Sequence, residues 1–312
     1  MWTRHVPRFC LFAWPVLHRF PEGTFAAMPC SITTPSNETY VGTKLLTISP
    51  QNPAPIPTIQ GVIVLFGASQ KGQPLALIEA SSVTALRTAA ASGLATDLLS
   101  RADASVCAII GSGVQAESHA EAMLSVRKLE KIYIYARTEE KVTKLVKVLQ
   151  QRYRTRYPSL QIIAAKTIEE AVKEAHIVCT VTAASTPILF DSMLSNSGVH
   201  INAVGSHGKA KRELDGAIMK RASVWADLTA STLAEGGDFL IPISEGLYSE
   251  SHLKGEISEN VSGKKEARTS QDEITVFNSL GIAIEDLQCA IHLYKTIKDD
   301  KTAPKARLMS RM

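Results

Sequence analysis

The feature that most constrains the fold is a repeated alternation of short apolar segments with helix-forming segments, which begins at Ser105. The apolar runs read SVCAII, KIYIYA, LQIIAA and HIVCTVT, and the segments between them carry apolar residues at helical spacing. Strands that alternate with helices in this way form a parallel sheet with helices on both faces. The sequence therefore predicts a doubly wound α/β domain, which we place at residues 96–281.

A glycine turn directly follows the first of these strands and opens a helix. Residues 111–116 read GSGVQA and fit the pattern G-x-G-x-x-A. The first glycine permits a tight turn, the second lets backbone approach a pyrophosphate, and the small third residue lets helix and strand pack closely. An ordinary strand-to-helix turn is the alternative interpretation. We predict a dinucleotide site that includes Gly111, Ser112, Gly113, Val114 and Gln115.

The end of the next strand bears on which dinucleotide binds. An NAD site usually carries an acidic residue there, for the ribose 2′-hydroxyl. This chain has Ala136, Arg137 and Thr138 instead. A guanidinium suits a 2′-phosphate, so we predict contacts from Arg137 and Thr138 and a preference for NADP(H), with NAD(H) possible. The alternative is that Arg137 is a surface residue without a ligand.

Composition excludes several other classes of protein. The 312 residues are 45% hydrophobic and 21% charged, with a formal net charge of +4, and no basic stripe with interleaved aromatic residues suggests nucleic acid. The five cysteines show no zinc spacing, so no metal is predicted. No apolar run reaches the length of a membrane span. We expect a cytoplasmic protein, although Arg4, His5 and Arg8 precede a short apolar stretch that imitates a targeting segment.

The remaining segments predict a smaller α+β domain. The runs GVIVLFGAS and QPLALIEA indicate a β-hairpin or adjacent strands, and a helix containing Arg87 follows. Near the C-terminus, EITVFNSLGIAIEDLQCAIHLYKTI indicates a strand that leads into an amphipathic helix, whereas residues 236–272 read as mostly surface. We place this domain at residues 1–95 and expect the C-terminal helix, residues 282–312, to complete it.

Several of these motifs together resemble one family. TALRTAAASGLA, GSGVQAESH, INAVGSH, RELD and EITVFNSLGIAIEDL occur in the order found in the ornithine cyclodeaminase/mu-crystallin family, over roughly residues 25–295. The resemblance implies a Rossmann-type domain joined to a substrate and dimerisation domain, in a homodimer. It also implies a nicotinamide cofactor and an imino or amino acid substrate.

The resemblance assigns roles to individual residues. Lys44 matches a family lysine that faces the substrate, and Arg87 matches an arginine that clamps the substrate carboxylate and lies near the cofactor. A bidentate guanidinium is a strong way to hold a carboxylate. The alternatives are an ion pair within the protein for Arg87 and a surface lysine for Lys44. A second family arginine lies upstream, where Arg8 is the best match and Arg19 competes with it.

Further positions match cofactor contacts or depart from the family. His207 stands where true ornithine cyclodeaminases have an aspartate that moves a proton. Histidine can still donate a proton, so His207 is a candidate catalytic residue, and a loop histidine at the cofactor edge is the alternative. The cofactor contacts implied by the resemblance, besides the glycine turn, are Thr58, Thr182, Val204, Gly205, Ser206 and Ser279.

These residues predict an NAD(P)H-dependent reductase of small cyclic ketimines such as pyrroline or piperideine carboxylates, with hydride transfer to a C=N bond. One alternative is an ornithine cyclodeaminase or alanine-type dehydrogenase of the same family. The other is a protein that binds NADPH and a small, thyroid-hormone-like ligand without turnover. Lys44 and Arg87 favour the enzyme. The family usually has a further segment ahead of this region. Its absence here favours the binding protein or a non-functional product.

Overall fold

A computed structural model describes residues 9–12, 16–53, 55–195 and 197–299. The chain divides into two compact units, one formed by residues 1–87 and 281–312 and the other by residues 88–280. This division and the predicted one between residues 95 and 96 both fall inside the first helix, α1 (Ala80–Leu99). Residues 300–312, the end of the predicted C-terminal helix, lie outside the described residues.

The first unit contains an antiparallel sheet of six strands in the order β1-β3-β4-β5-β6, with β2 paired to β3. The chain's last described helix, α9, packs on this sheet. The predicted hairpin is confirmed, because β5 and β6 pair antiparallel. The elements are β1 (Phe9–Phe12), β2 (Val16–Phe20), β3 (Gly23–Thr33), β4 (Thr39–Ile48), β5 (Ile59–Gly67), β6 (Gln73–Glu79) and α9 (Ala283–Asp299).

The core of this unit lies between one face of the sheet and α9. Alternate residues of a strand point to the same face, so Tyr40, Gly42 and Lys44 of β4 are all buried on the helix side. A Cβ atom on Gly42 would lie 2.7 Å from a methyl group of Leu287, which shows how closely the helix approaches. The alternation that buries Tyr40 therefore also buries the ammonium group of Lys44.

The second unit contains an eight-stranded sheet in the order β13-β12-β14-β11-β10-β7-β8-β9. All its strand pairs are parallel, which confirms the predicted doubly wound α/β fold. The strands are β7 (Val106–Ile110), β8 (Lys131–Tyr135), β9 (Gln161–Ala164), β10 (Ile177–Thr180), β11 (His200–Ala203), β12 (Ser223–Ala226), β13 (Leu253–Glu256) and β14 (Thr275–Asn278). The helices that follow α1 are α2 (Val114–Val126), α3 (Glu139–Tyr153), α4 (Ile168–Val172), α5 (Gly216–Arg221), α6 (Thr229–Glu235), α7 (Gly237–Ser244) and α8 (Ile257–Val261).

The strand order indicates where a ligand would bind in this unit. The chain moves outward from β7 through β8 to β9, then returns to the other side of β7 with β10 and β11. Open sheets of this kind bind ligands beyond the carboxyl ends of their strands, at the point where the order reverses. That point lies between β7 and β10, and the glycine turn begins at the carboxyl end of β7.

Most of residues 236–272 are exposed or half-buried, as predicted, but the segment has regular structure and a buried part. This segment contains α7, β13 and α8, and the side chains of Asp238 and Phe239 are fully buried. Its glycines and polar residues obscured the helices, because Pro242 stands inside α7 and interrupts the usual helix pattern. The long strands β3 and β4 were likewise not indicated by periodicity, since prolines and threonines dominate the segment around them.

Candidate functional site

The glycine turn has the geometry that its sequence predicts. Gly111 has a φ of 140°, a conformation that only glycine adopts readily. A Cβ atom there would lie 2.8 Å from the carbonyl oxygen of Val181, and the Gly111 N–H donates to the carbonyl of Tyr135 at 2.7 Å. The turn is thus fixed between β8 and the loop after β10, at the switch point of the sheet.

Gly113 leaves open space where a phosphate would approach. It is the N-cap of α2 with no side-chain cap, it is exposed, and a Cβ atom on it would meet nothing within 4 Å. The first turn of the 13-residue helix α2 follows directly, and a helix N-terminus favours an anion. A dinucleotide pyrophosphate therefore fits here, beside Ser112, Val114 and Gln115.

The other predicted cofactor residues of this unit lie at the same edge of the sheet. Thr182, Gly205 and Ser279 each follow closely the carboxyl end of a strand, β10, β11 and β14 respectively. Val204 donates its N–H to the carbonyl of Thr180, and Ser279 donates to that of Ala203. Ser206 is buried and donates its hydroxyl to the carbonyl of Lys211. The structure brings these residues to the edge where the glycine turn lies.

Sequence reasoning missed Glu213, a carboxylate that connects two of these loops. Its Oε1 accepts from the N–H of Thr182 at 2.8 Å and from the Thr182 hydroxyl at 2.5 Å. Its Oε2 accepts from the N–H of Gly205 at 2.8 Å. Glu213 is fully buried, and this burial raises the pKa of its carboxyl. The Thr182 hydroxyl, predicted to contact cofactor, is thus engaged with protein.

A second buried carboxylate supports the first. Asp238 Oδ1 accepts from the N–H groups of Glu213 and Leu214 at 2.8 and 2.9 Å. Burial raises the pKa of Asp238 to about 6. The signal available in the sequence was an acid in each of two short motifs, RELD and GGDFL, but only the fold shows that both are buried.

Arg137 and Thr138 lie where the sequence predicts, between β8 and α3. Both side chains are exposed, and within the part of the chain that the structure describes Arg137 forms no ion pair. An exposed guanidinium at this strand end is placed to meet a ribose phosphate, and the contact itself stays a prediction.

In the first unit, Lys44 forms a buried ion pair. Its Nζ lies 2.7 Å from Oδ2 of Asp286 on α9, and the two side chains are 1% and 2% exposed. Burial lowers the pKa of Lys44, the positive charge of Arg87 lowers it further, and Asp286 opposes both effects. Lys44 is therefore a poorly solvated ammonium group whose proton is held less tightly than that of a surface lysine.

Arg87 lies against the same carboxylate. Its Nε donates to Asp286 Oδ1 at 3.1 Å and its Nη1 to Glu285 Oε2 at 2.7 Å. A Cβ atom on Gly281 would meet the guanidinium, so Gly281, at a φ of 79°, lets the backbone pass close to it. These protein carboxylates are the partners of the alternative interpretation, and the predicted substrate clamp stays a prediction.

Asp286 and Glu285 were also missed as site residues. Their sequence signal is a pair of acids inside the apolar run GIAIEDLQCAI. The structure shows that α9 presents Asp286 to two cations at once, at 2.7 Å from Lys44 and 3.1 Å from Arg87. We call these four side chains, Lys44, Arg87, Glu285 and Asp286, the charged cluster.

The remaining predicted residues that the structure describes, Thr58, His207 and Arg19, are exposed. Thr58 is exposed in the loop before β5, and its carbonyl accepts from the N–H of Ser49. His207 is exposed on the loop after β11, and Arg19 is exposed on β2. Arg8 lies outside the described residues. Within the described part of the chain, no three His, Cys, Asp or Glu side chains are grouped to hold a metal ion, and no helix is long and apolar enough to cross a membrane.

Known proteins with similar sequences indicate the family of this chain. A Δ1-pyrroline-2-carboxylate reductase of Bacillus cereus is 39% identical over 257 residues, 82% of this chain and 77% of that protein. The ketimine reductase mu-crystallin of Mus musculus is 35% identical over 246 residues, 79% of this chain and 72% of that protein.

The solved structure of a related protein agrees with this sequence similarity. The Thermococcus litoralis Δ1-pyrroline-2-carboxylate reductase, solved in complex with NADH and L-proline, superposes with a TM-score of 0.85 at 31% identity, over 93% of this chain and 87% of that one. The model of one family matches residues 11–301. The chain therefore belongs to the ornithine cyclodeaminase/mu-crystallin family.

Proposed function

We propose that this protein is an NAD(P)H-dependent reductase of small cyclic ketimines that carry a carboxylate. The observation that carries the proposal is the buried pair of cations, Lys44 and Arg87, held by Asp286. Asp286 and Glu285 compensate the two buried charges, and a substrate with a carboxylate beside a C=N bond would offer further hydrogen-bond partners to both cations. The relatives named as pyrroline-2-carboxylate and ketimine reductases support this chemistry.

Each of the two cations would contact a different group of the substrate. The planar guanidinium of Arg87 suits a carboxylate, and Gly281 and Asp286 keep its plane fixed. Lys44 would donate a hydrogen bond and a proton to the imine nitrogen, because its pKa is lowered by burial and a proton donor works best when its pKa lies near the working pH. Fixed donors of this kind act mainly by positioning.

The glycine turn would hold the pyrophosphate of a nicotinamide cofactor. When bound, that cofactor supplies the hydride that reduces the C=N bond. The open space at Gly113 supports the fit, and Glu213 would keep the Thr182 and Gly205 loops in place. Exposed Arg137 and Thr138, without an acidic strand end, support a preference for NADP(H) over NAD(H).

The first alternative remains the same family's amino-acid chemistry. An ornithine cyclodeaminase would need a carboxylate where His207 stands, and an alanine-type dehydrogenase would use the same cations on an open-chain imine. The binding protein without turnover would keep the glycine turn but would need neither Lys44 nor Arg87 buried. The burial of both cations favours a reductase over it.

A homodimer is part of the proposal. The face of the antiparallel sheet opposite α9 carries apolar side chains in solvent, among them Val41 at 40% and Leu77 at 68% exposure. An exposed apolar face on a sheet is typical of an interface, and light scattering of the purified protein would measure the expected dimer.

The four cysteines described are free, which supports the expected cytoplasmic location; fractionation of cells tests it.

The test is reduction of Δ1-pyrroline-2-carboxylate and Δ1-piperideine-2-carboxylate, followed as NADPH oxidation at 340 nm. We expect turnover with both ketimines and little or no ammonia from ornithine, because His207 replaces the aspartate of cyclodeaminases. NADPH binding without turnover of either ketimine would favour the binding protein instead. Steady ammonia release from ornithine would favour the cyclodeaminase.

Cofactor choice is tested separately at Arg137. The wild-type protein should bind NADPH more tightly than NADH, and Arg137→Asp should reverse or abolish the preference, because a carboxylate repels a 2′-phosphate and suits a 2′-hydroxyl. Titration of each cofactor by its fluorescence gives the two dissociation constants. A wild-type protein that binds NADH at least as tightly contradicts the assignment.

A further inference from the structure

The motif GSGVQAESH ends in a histidine that has no part in the proposed function. His119 lies on α2, one turn after Gln115, and its side chain and that of Ser92 on α1 are both fully buried. The Nδ1 of His119 lies 2.8 Å from the carbonyl oxygen of Gln115, and its Nε2 lies 2.9 Å from the hydroxyl oxygen of Ser92. The imidazole therefore connects the first turn of α2 to α1.

These two contacts fix the tautomer of the imidazole. The Gln115 carbonyl can only accept a hydrogen bond, so Nδ1 carries the hydrogen and donates it. Nε2 is then an acceptor, and the Ser92 hydroxyl donates to it. Burial lowers the pKa of His119 to about 4, which agrees with a neutral ring at physiological pH. Both nitrogens of the ring are thus engaged with protein.

The first turn of α2 needs such an anchor because no side chain caps it at the N-cap position. Gly113 occupies that position and forms no side-chain cap. A capping side chain would use the backbone N–H groups that a phosphate needs, so a phosphate-binding turn is better held from another direction. A Cβ atom on Gly93, which follows Ser92, would lie 3.5 Å from the Cβ of Ala122. The helix α1 therefore packs closely on α2 and can serve as the support.

We propose that His119 is a positioning residue for the cofactor, which holds the phosphate-binding first turn of α2 against α1. The inference rests on the proposed function, in which the glycine turn binds the pyrophosphate. His119 acts through the Gln115 carbonyl and not by touching the cofactor, because its ring is fully buried between two protein partners. Donors that are already in place bind an anion more tightly, since less ordering accompanies binding.

The experiment first removes the bond between His119 and Ser92. Asparagine places its amide nitrogen near the position of Nδ1, so His119→Asn keeps the donor to Gln115 and loses the contact with Ser92. Ser92→Ala removes the same bond from the other side. Each variant should raise the dissociation constant for NADPH about fivefold, the effect of one hydrogen bond. The double variant should raise it no further, because both changes remove one interaction. Fluorescence titration measures the constants.

His119→Gln tests the other bond. Glutamine can reach Ser92 with its terminal amide, as Nε2 does, but it offers no donor to the Gln115 carbonyl. NADPH should again bind about fivefold more weakly. With Δ1-pyrroline-2-carboxylate, kcat should stay within about twofold of the wild-type value while KM for NADPH rises, because a contact that acts equally in the ground and transition states changes KM alone.

His200 provides a matched control in the same unit. It is also fully buried and forms two hydrogen bonds, to Thr275 and Asn202. It is the first residue of β11, so it lies at the edge of the sheet opposite to the glycine turn. His200→Asn should therefore lower the free energy of unfolding, as His119→Asn does, and leave the dissociation constant for NADPH unchanged.

The outcomes separate this inference from the proposed function. If the wild-type protein binds NADPH but reduces no ketimine, the proposed reductase is wrong, and the titrations still test His119. If NADH binds more tightly, the same titrations use NADH. Variants of His119 and Ser92 that are less stable but bind cofactor as the wild type does would overturn the inference, and so would an equal loss of affinity in His200→Asn. A wild-type protein that binds neither cofactor would overturn both proposals.

Discussion

The two units compensate buried polar groups in opposite ways. In the first unit, buried carboxylates face buried cations, as Asp286 faces Lys44 and Arg87. In the second, Glu213 and Asp238 are equally buried but are held by backbone N–H groups. Paired charges leave groups that a charged ligand can engage, whereas backbone donors fix loops in place. Under the proposed function, the first unit would bind the charged substrate and the second unit would hold the cofactor.

The largest expected effect comes from breaking the charge pairing at Arg87. Arg87→Ala would leave Asp286 with one cation, and removing one partner of a buried pair costs about 3–5 kcal/mol of folding free energy. Loss of the proposed substrate clamp should lower kcat/KM on the order of 10²–10³-fold. Chemical denaturation and steady-state kinetics measure the two effects.

The Arg87→Lys variant separates the contribution of Arg87 to stability from its proposed role in substrate binding. A lysine restores the charge but not the fork, so most of the stability and only part of kcat/KM should return. NADPH affinity should fall much less than kcat/KM in either variant, since the predicted phosphate contacts lie at Gly111–Gln115. A variant that loses stability and keeps its kcat/KM would make Arg87 structural only.

The next largest expected effect comes from two buried histidines of the second unit, which we expect to be uncharged in the folded protein. His119 and His200 are fully buried and bond to Ser92, Gln115, Thr275 and Asn202. Burial lowers the pKa of His119 to about 4 and that of His200 to about 3. The unfolded chain therefore binds more protons below pH 6.5, and stability is present above that pH and lost as pH falls toward the folded values.

At pH 5 each of the two histidines should reduce the free energy of unfolding by about 2 kcal/mol relative to neutral pH. Urea titrations between pH 8 and pH 4.5 measure the loss. His119→Gln keeps a donor and an acceptor but cannot titrate, so it should flatten the profile by about half of the histidine contribution. An unchanged profile in His119→Gln would show that its burial does not control acid stability.

The smallest effect tests the backbone-held carboxylates. Glu213→Gln replaces one acceptor oxygen by an NH₂ group, so either Thr182 or Gly205 loses its acceptor. We expect the dissociation constant for NADPH to rise about tenfold, because the loops at the cofactor edge lose a connection worth about 1.5 kcal/mol. Glu273→Gln, which alters a remote partly buried carboxylate of the same unit, is the control. Equal cofactor affinity in both variants would make Glu213 a folding residue without influence on cofactor.

The two units also differ in how far sequence reasoning predicted them. The α/β unit was predicted well because its strands are short apolar runs and its glycine turn has one physical explanation. Gly111 and Gly113 are local signals, which adjacent residues define. Glu213 and Asp238 could not be found, because a carboxylate looks the same in sequence whether it is buried or exposed, and their partners lie in other loops.

The charged cluster also shows that sequence does not reveal the distant partners of a charged residue. Lys44 and Arg87 were identified through the family resemblance, and the apolar neighbours of Arg87 predicted that it needs a partner. Which partner it has depends on α9, 199 positions away along the chain. Residue spacing carries no information about contacts at that separation, so Glu285 and Asp286 emerged only from the fold.

That separation has a consequence for the order of synthesis. The second unit, residues 88–280, is one uninterrupted piece, whereas the first is completed only by residues 281–312. Domains tend to fold as their chain emerges from the ribosome, so the α/β unit can fold while the antiparallel sheet still lacks α9. Until α9 has been synthesised, Lys44 lacks its partner Asp286, and the sheet lacks the helix that packs on it. We therefore expect the chain to be most prone to aggregation during synthesis, while the first unit still lacks α9.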